Sequence, residues 1–327
     1  MGHYLLRRSL ALVPLLWTMA TLVWVVLIVL PGDPARGLLG QTATKEAILA
    51  LHQELGLDQP RAVQYFRYLA RLARLDLHES LVEGRPVREI LLERMWPSAV
   101  LAITAITLAV LLGLAGGIAA ALRPGGLPDR AVLVLSLVGL AVPVFWMGIL
   151  LRRLFSGALG WLPINGYTLQ LAPAARLFGV RGLEMPDLPN LVLPALTLCA
   201  FSAGYFTRLV RTSLCETLTE DFIRTARAKG VSTGRLVLQH ALGSALAPLA
   251  TAAGVQVAML FGGAIATEIL FDWPGVGSAL LEGIRSRDRA LVSGCVLVLT
   301  LTFAVVNLCV DLLYGWLDPR ARLLDRG

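Results

Sequence analysis

With 327 residues, 56% hydrophobic content and only 16% charged content, the chain is unlike a soluble globular domain, which runs near ~45–50% apolar and ~25% charged. Its four cysteines (Cys199, Cys215, Cys295, Cys309) and four histidines (His3, His52, His78, His240) show neither C-x-x-C nor H-x-x-x-H spacing, so neither a disulfide framework nor a metal centre is expected. The net charge of +7 is accounted for by a basic bias on one side of a membrane and calls for no nucleic-acid partner.

Six windows lack Asp, Glu, Lys, Arg and His: 9–30, 97–122, 131–151, 188–207, 241–267 and 290–310, each 20 to 27 residues long. A helix crosses the ~30 Å hydrocarbon layer in ~20 apolar residues and satisfies its own backbone hydrogen bonds. The expectation is an all-α integral membrane protein with six transmembrane helices. The first window, flanked by Arg7 and Arg8, is longer than a typical signal-peptide core, and "LPGDPARG" is a poor cleavage site, so this helix is read as retained. After it, "TKEAILALHQELGLDQP" predicts a helix over 45–55 stopped by Gly56, and Pro60 opens a second segment through about Arg74. The long external loop is therefore helical. If the N-terminus is inside, the cytoplasmic pieces 1–8, 123–130, 208–240 and 311–327 hold 13 basic and 7 acidic residues in 66, which favours N-in, C-in.

Between the fourth and fifth windows lies "TEDFIRTARAKGVSTGRLVLQH", charged and punctuated by glycine. Thr219 is a suitable N-cap, Glu220 and Asp221 favour the positive end of a helix, and Lys229 favours its negative end. Gly230 suits a left-handed stop, and Ser232 or Thr233 can cap a second helix leading into the fifth window. Residues 219–229 thus make about three turns, with Phe222 and Ala226 on one face, Ile223 on its flank and Arg224 roughly opposite. A helix this short is marginal alone, and becomes useful when packed between a membrane domain and a partner.

This stretch, "FIRTARAKGVS…LQHALGSALAP", resembles the cytoplasmic EAA loop of ABC importer permeases of the dipeptide/oligopeptide/nickel branch. The resemblance runs along nearly the whole chain through "LPGDPA", "LGLDQPRAVQY", "GRPVREILLERMWPSAVLA", "VPVFWMGILL", "LGWLPINGY", "LFGGAIATEILFDWPGVGSALL", "RSRDRALV" and "NLCVDLLYGWLDPRAR". There are departures. Arg224-Thr225-Ala226 stand where the general family has Glu-Ala-Ala, "RLDLHES" at 74–80 replaces a more usual G-D-L-G-x-S, and Arg152-Arg153 follow the third window where the family is usually apolar.

The resemblance implies a type I ABC importer permease fold, divided into 1–96 (first helix and external loop), 97–315 (transmembrane domain) and 316–327 (tail). It also implies partners: a second homologous permease, two cytoplasmic ABC ATPases that receive the EAA helix, and an extracytoplasmic substrate-binding protein. The setting would be a bacterial or archaeal plasma membrane, the inner membrane in a Gram-negative cell. The implied ATPase-coupling residues are Asp221, Phe222, Arg224, Ala226, Lys229 and Gly230. The chain has only two lysines, Lys45 and Lys229, neither within a G-x-x-x-x-G-K-[ST] sequence. ATP and magnesium are therefore expected on partner subunits, and the chain is not expected to be an enzyme by itself.

Polar and small residues of the fifth window, Gln256, Gly262, Gly263 and Thr267, with Glu268 at its outer end, are candidates for the translocation path. Glu268 is suited to attract a peptide's ammonium group or to pair with Arg285 or Arg289. "FDWPGVG" at 271–277 is expected to form a re-entrant or interfacial turn at an outer gate, through Trp273, Pro274 and Gly275. An ion-coupled secondary transporter would carry ionisable residues inside its spans, and an intramembrane enzyme would carry a nucleophile and base there. The six windows have no charged residue to supply either. Substrates of the branch include dipeptides, oligopeptides, glutathione, nickel and metal chelates, with peptide favoured.

Overall fold

In a computed structural model, the described residues are 2–29, 44–54, 56–74, 76–80, 82–164, 169–171, 184–186 and 188–317. The "LPGDPA" segment after the first helix, the end of "LGWLPINGY" and the 318–327 tail lie outside them. The helices are α1 (Gly2–Val29), α2 (Lys45–Glu54), α3 (Arg61–Ala73), α4 (Val87–Leu122), α5 (Leu127–Ala141), α6 (Val144–Leu151, continued by a wider turn over Arg152–Ala158), α7 (Leu188–Thr217), α8 (Asp221–Ala228), α9 (Thr233–Arg235, continued over Leu236–Ala241), α10 (Leu242–Leu270), α11 (Val276–Ser286) and α12 (Arg289–Leu317). One antiparallel pair, β1 (Leu169–Leu171) with β2 (Glu184–Pro186), is the exception to the all-helical expectation.

Three of these helices are long and apolar enough to cross a bilayer, or five when each of two bent pairs counts as one span. The window 131–151, expected as one span, is broken: α5 and the α6 segment meet at 113°. The cause is local. Pro143 disfavours helical geometry at Val142, and both residues are extended. Thr233–Leu246 and Pro248–Val257 also meet at 49°, at a proline that removes one backbone donor.

The chain forms two compact units. One contains 98–273 and 305–327, centred on α7, which packs against α5 and α10. Its contacts are made by small residues. A Cβ on Gly139 would lie 2.6 Å from the Ala200 carbonyl, and one on Gly204 would lie 2.7 Å from that of Ser136. On α4, Gly113 and Gly117 meet Phe206 and Val210 in the same way. Lipid tails are as apolar as leucine, so helices in hydrocarbon hold together by such close approach. Side chains on the outer faces, among them Ile103, Leu111 and Leu135, are exposed and apolar, as lipid or a second apolar subunit requires.

The other unit contains 1–97 and 274–304, so α11 and the start of α12 join the N-terminal region. Val87, Ile90 and Leu91 of α4 pack with Val276 and Ala279 of α11 and with Leu291 and Cys295 of α12. Asp288 caps α12, accepting from the Leu291 amide at 3.0 Å, and also accepts from Ser80 Oγ at 2.6 Å. That bond fastens the turn over 79–86, where Glu79 and Pro86 form a single bridge. His78 stands at the second glycine of the G-D-L-G-x-S pattern and adopts φ 64°. The turn keeps its left-handed residue despite the substitution, at some conformational cost.

The α5–α7 contact predicts a graded response. Gly204→Leu, driven against the Ser136 carbonyl, is expected to cost about 1–3 kcal/mol. Gly243→Ala, where a Cβ meets nothing within 4 Å, is expected to be neutral or slightly stabilising. Thermal unfolding of the purified full-length variants measures both.

Candidate functional site

Helix α8 is held to the body mainly by one apolar side chain, Ile223. Ile223 is fully buried, with Leu236 and Val237 in the same cluster, and Ala226 and Val231 pack against that cluster half-buried. The remaining residues of α8 are exposed: Asp221, Phe222, Arg224, Thr225, Arg227 and Ala228, followed by Lys229 and Gly230. Phe222, with 51% of its surface exposed, is an aromatic side chain presented outward on a charged helix. Asp221 and Arg224 pair at 3.3 Å across one turn, an exposed contact of little energetic weight.

The helix end is built by Gly230. Its φ is +85°, its amide donates to the Arg227 carbonyl at 3.0 Å, and the Val231 amide reaches back to Ala226 at 3.3 Å. These are the two bonds of a Schellman stop, with the apolar contact that accompanies it. The start differs from expectation. Glu220, not Thr219, is the N-cap, because the Thr219 hydroxyl donates backward to the Glu216 carbonyl at 2.7 Å. Ser232 occupies the N-cap position of α9, without a side-chain hydrogen bond to its first turn.

The flanking helices are tied together below α8. Thr217 Oγ1 near the end of α7 lies 2.6 Å from Ser244 Oγ near the start of α10. Arg211 of α7 holds Asp129 of α5 through two bonds, Nε to Oδ1 at 2.5 Å and Nη2 to Oδ2 at 2.8 Å. The Gly125 amide also donates to Asp129 at 2.8 Å. The bidentate fork fixes angle as well as distance, so the 123–130 turn is clamped to α7. Arg211 and Asp129 carried no sequence signal that distinguished them from other loop charges.

Three of the residues singled out on α10 are buried. Gln256, Thr267 and Glu268 are all inside, and Thr267 Oγ1 has no hydrogen-bond partner among the described residues. Glu268, 1% exposed, accepts from Ser98 Oγ of α4 at 2.6 Å. Gly262 and Gly263 fall within α10. After α10 the chain turns at Phe271 and Asp272. Trp273, expected at a membrane interface, is instead fully buried in the apolar cluster around α7. Its amide donates to the Glu268 carbonyl at 2.8 Å, returning the chain over the helix end. Pro274 is half-buried and Gly275 buried, and Gly275 is the N-cap of α11. Arg152, which stands where the family is usually apolar, turns inward and donates to the Leu270 carbonyl at 3.1 Å, capping α10.

The described residues contain no group of three or more His, Cys, Asp or Glu able to hold a metal. What the arrangement offers is mechanical: an apolar helical body displaying a short charged helix on a braced stem. That is the build of a membrane transport subunit driven from outside itself. Residues 113–323 match the family described as binding-protein-dependent transport system inner membrane component, and residues 1–83 match its N-terminal region. The chain belongs to this family, the inner-membrane permeases of ABC importers.

A glutathione transport system permease protein GsiC from Salmonella paratyphi A (strain ATCC 9150 / SARB42) is 40% identical over 322 residues, covering 98% of this chain and 99% of its own. The protein of the same description from Escherichia coli (strain K12) is 37% identical over the same length. Among solved structures, two crystal forms of the MetNI methionine ABC transporter in inward facing conformations match with TM-scores of 0.53 and 0.56. Each covers 71% of this chain and 98% of its own at 17% and 16% identity, a likeness of fold.

The geometry of α8 yields a prediction. Ile223→Ala is expected to cost about 2–5 kcal/mol, more than an eight-residue helix can supply by itself. Amides of 221–229 should then lose hydrogen-exchange protection while those of α7 and α10 keep theirs. Gly230→Val, placing a β-branched residue at positive φ, should do the same more weakly. Unchanged protection in both variants would show that α8 does not depend on this anchor or this stop.

Proposed function

We propose that this chain is one of two permease subunits of an ATP-driven importer and carries glutathione and other short peptides through the membrane by alternating access. In this reading it has six spans with both termini inside. A second, related permease completes the path, and an extracytoplasmic binding protein delivers the substrate. Two ATPase subunits hold ATP and magnesium, hydrolyse it, and seat α8 in a groove on their surface. Asp221, Phe222, Arg224 and Lys229 then face the ATPase, while Ala226 and Gly230 set the helix on its stem. The observation that carries this reading is the outward Phe222 beside the buried Ile223. Ile223, with Ala226 beside it, joins α8 to the membrane body, and Phe222 is left for another protein.

The substrate assignment rests on full-length relatives described as glutathione transport permeases. Gln256, Thr267 and Glu268 are proposed to line the path when the permease subunits part. The turn at Trp273, Pro274 and Gly275 closes its outer end. A motion of α8 would reach α10 through the Thr217–Ser244 contact and α5 through the Arg211–Asp129 fork.

Uptake by the complete complex tests the assignment. Labelled glutathione and dipeptides should be imported in an ATP-dependent manner, and nickel should not be. Phe222→Ala should lower uptake at least tenfold and weaken co-purification of the ATPases, with membrane insertion unchanged. ATPase retention and uptake at wild-type levels would refute the role of α8. Import of nickel in preference to both peptides would refute the substrate class.

A further inference from the structure

The external helix α3 carries a surface that the transport reading leaves unused. Its inner edge is Tyr65, Tyr68 and Leu72, none of them exposed. Around the helix from there run Val63, Phe66, Ala70 and Ala73, an apolar stripe at helical spacing that is exposed throughout. Phe66, 67% exposed, stands at its centre with its ring 5.4 Å from that of Tyr65. Beside the stripe lie Arg67, Arg71 and Arg74, with Arg61 at the helix start, and no acidic residue occurs between 61 and 74. Arg71 contacts His78 Nε2. Burial and the Arg71 charge together hold the His78 pKa below its ordinary value. Asp76 Oδ1 lies 3.7 Å from the other ring nitrogen of His78, Nδ1.

The position of α3 along α1 says what covers the stripe. Tyr65 OH lies 2.7 Å from Thr21 Oγ1 of α1, and its ring meets Trp24 edge-on at 5.0 Å. Thr21 and Trp24 lie eight and five residues before the last residue of α1, roughly 12 and 8 Å along its axis, inside its apolar window. Ala20 and Val23 of α1 are buried, whereas Leu22, Val25 and Val26 are exposed. The stripe therefore lies on a helix packed beside the exposed apolar surface of α1, near its C-terminal end.

We infer that α3 is an interfacial helix: its Val63–Phe66–Ala70–Ala73 stripe is sunk into the leaflet at the C-terminal end of α1, with its arginines on lipid phosphates. Interfacial helices bury their apolar face ~5–10 Å at the headgroup boundary and keep basic residues on the polar face, the charge pattern found here. This placement anchors the external loop from both α1 and the bilayer. That the leaflet is the outer one rests on the N-in reading proposed above.

Nitroxide labels on the full chain, assembled in its complex in lipid vesicles, test this. Single cysteines are placed at Val63, Phe66, Ala70, Arg67 and Arg74, with the four native cysteines replaced by alanine. Labels at 63, 66 and 70 should favour collisions with oxygen over a water-soluble nickel chelate and report ~5–10 Å of depth. Labels at 67 and 74 should favour the chelate. Water-like accessibility at all five positions would overturn the inference. So would shielding of 63, 66 and 70 from both reagents, which would mark a protein-covered face. Ascorbate added outside vesicles of known orientation gives the side independently. Reduction of the Arg74→Cys label from outside supports the outer leaflet. Reduction only from the lumen would overturn the N-in reading and leave the helix interfacial in the opposite leaflet.

Discussion

Helices in hydrocarbon gain nothing from hiding apolar side chains from one another, so their association depends on how closely their backbones can approach. In this chain that approach is concentrated on α7. Gly139 and Gly204 place α5 and α7 within reach of each other's carbonyls, and Gly113 and Gly117 bring α4 onto the same helix. The charged loop, its short helix and the turn beyond α10 all hang from this packed stem. Loosening it would remove the rigid reference against which a docked partner could push.

The stem ends in a region where water returns and polar contacts take over. The Arg211–Asp129 fork and the Thr217–Ser244 bond sit where apolar packing gives way to the loop. They tie together helices that come from separate stretches of sequence. Helix α8 begins just beyond them. It is too short to be stable by propensity, so its conformation is set by Ile223 on one side and by the Gly230 stop at its end. A helix held this way transmits force through few contacts, which suits the docking role proposed for it.

Much of this was legible in the sequence. The uncharged windows located the long helices, because few other structures bury so many apolar residues without charge. Gly230 announced its turn, since a glycine after a short amphipathic run with a basic end is the ordinary stop. The helices of the loop after α1 began and ended within a residue or two of Lys45, Gly56 and Pro60. Other features were less visible. Pro143 was in plain sight, but whether a proline kinks or breaks a span depends on its neighbours in space. Trp273 looked like an interfacial anchor and is core, because burial of an aromatic is decided by what packs around it.

Sequence alone determined the class of the protein, its apolar segments, the short charged helix and the absence of a P-loop, since each depends on composition or on neighbours a few residues apart. Tertiary structure decided which side of each element faces inward. It turned Ile223 rather than Phe222 toward the body and buried Glu268 against Ser98. It aimed Arg152 at the end of α10 and joined Asp288 to Ser80 across more than 200 residues. These choices depend on pairs distant in the chain, and helical periodicity specifies a face without naming its partner.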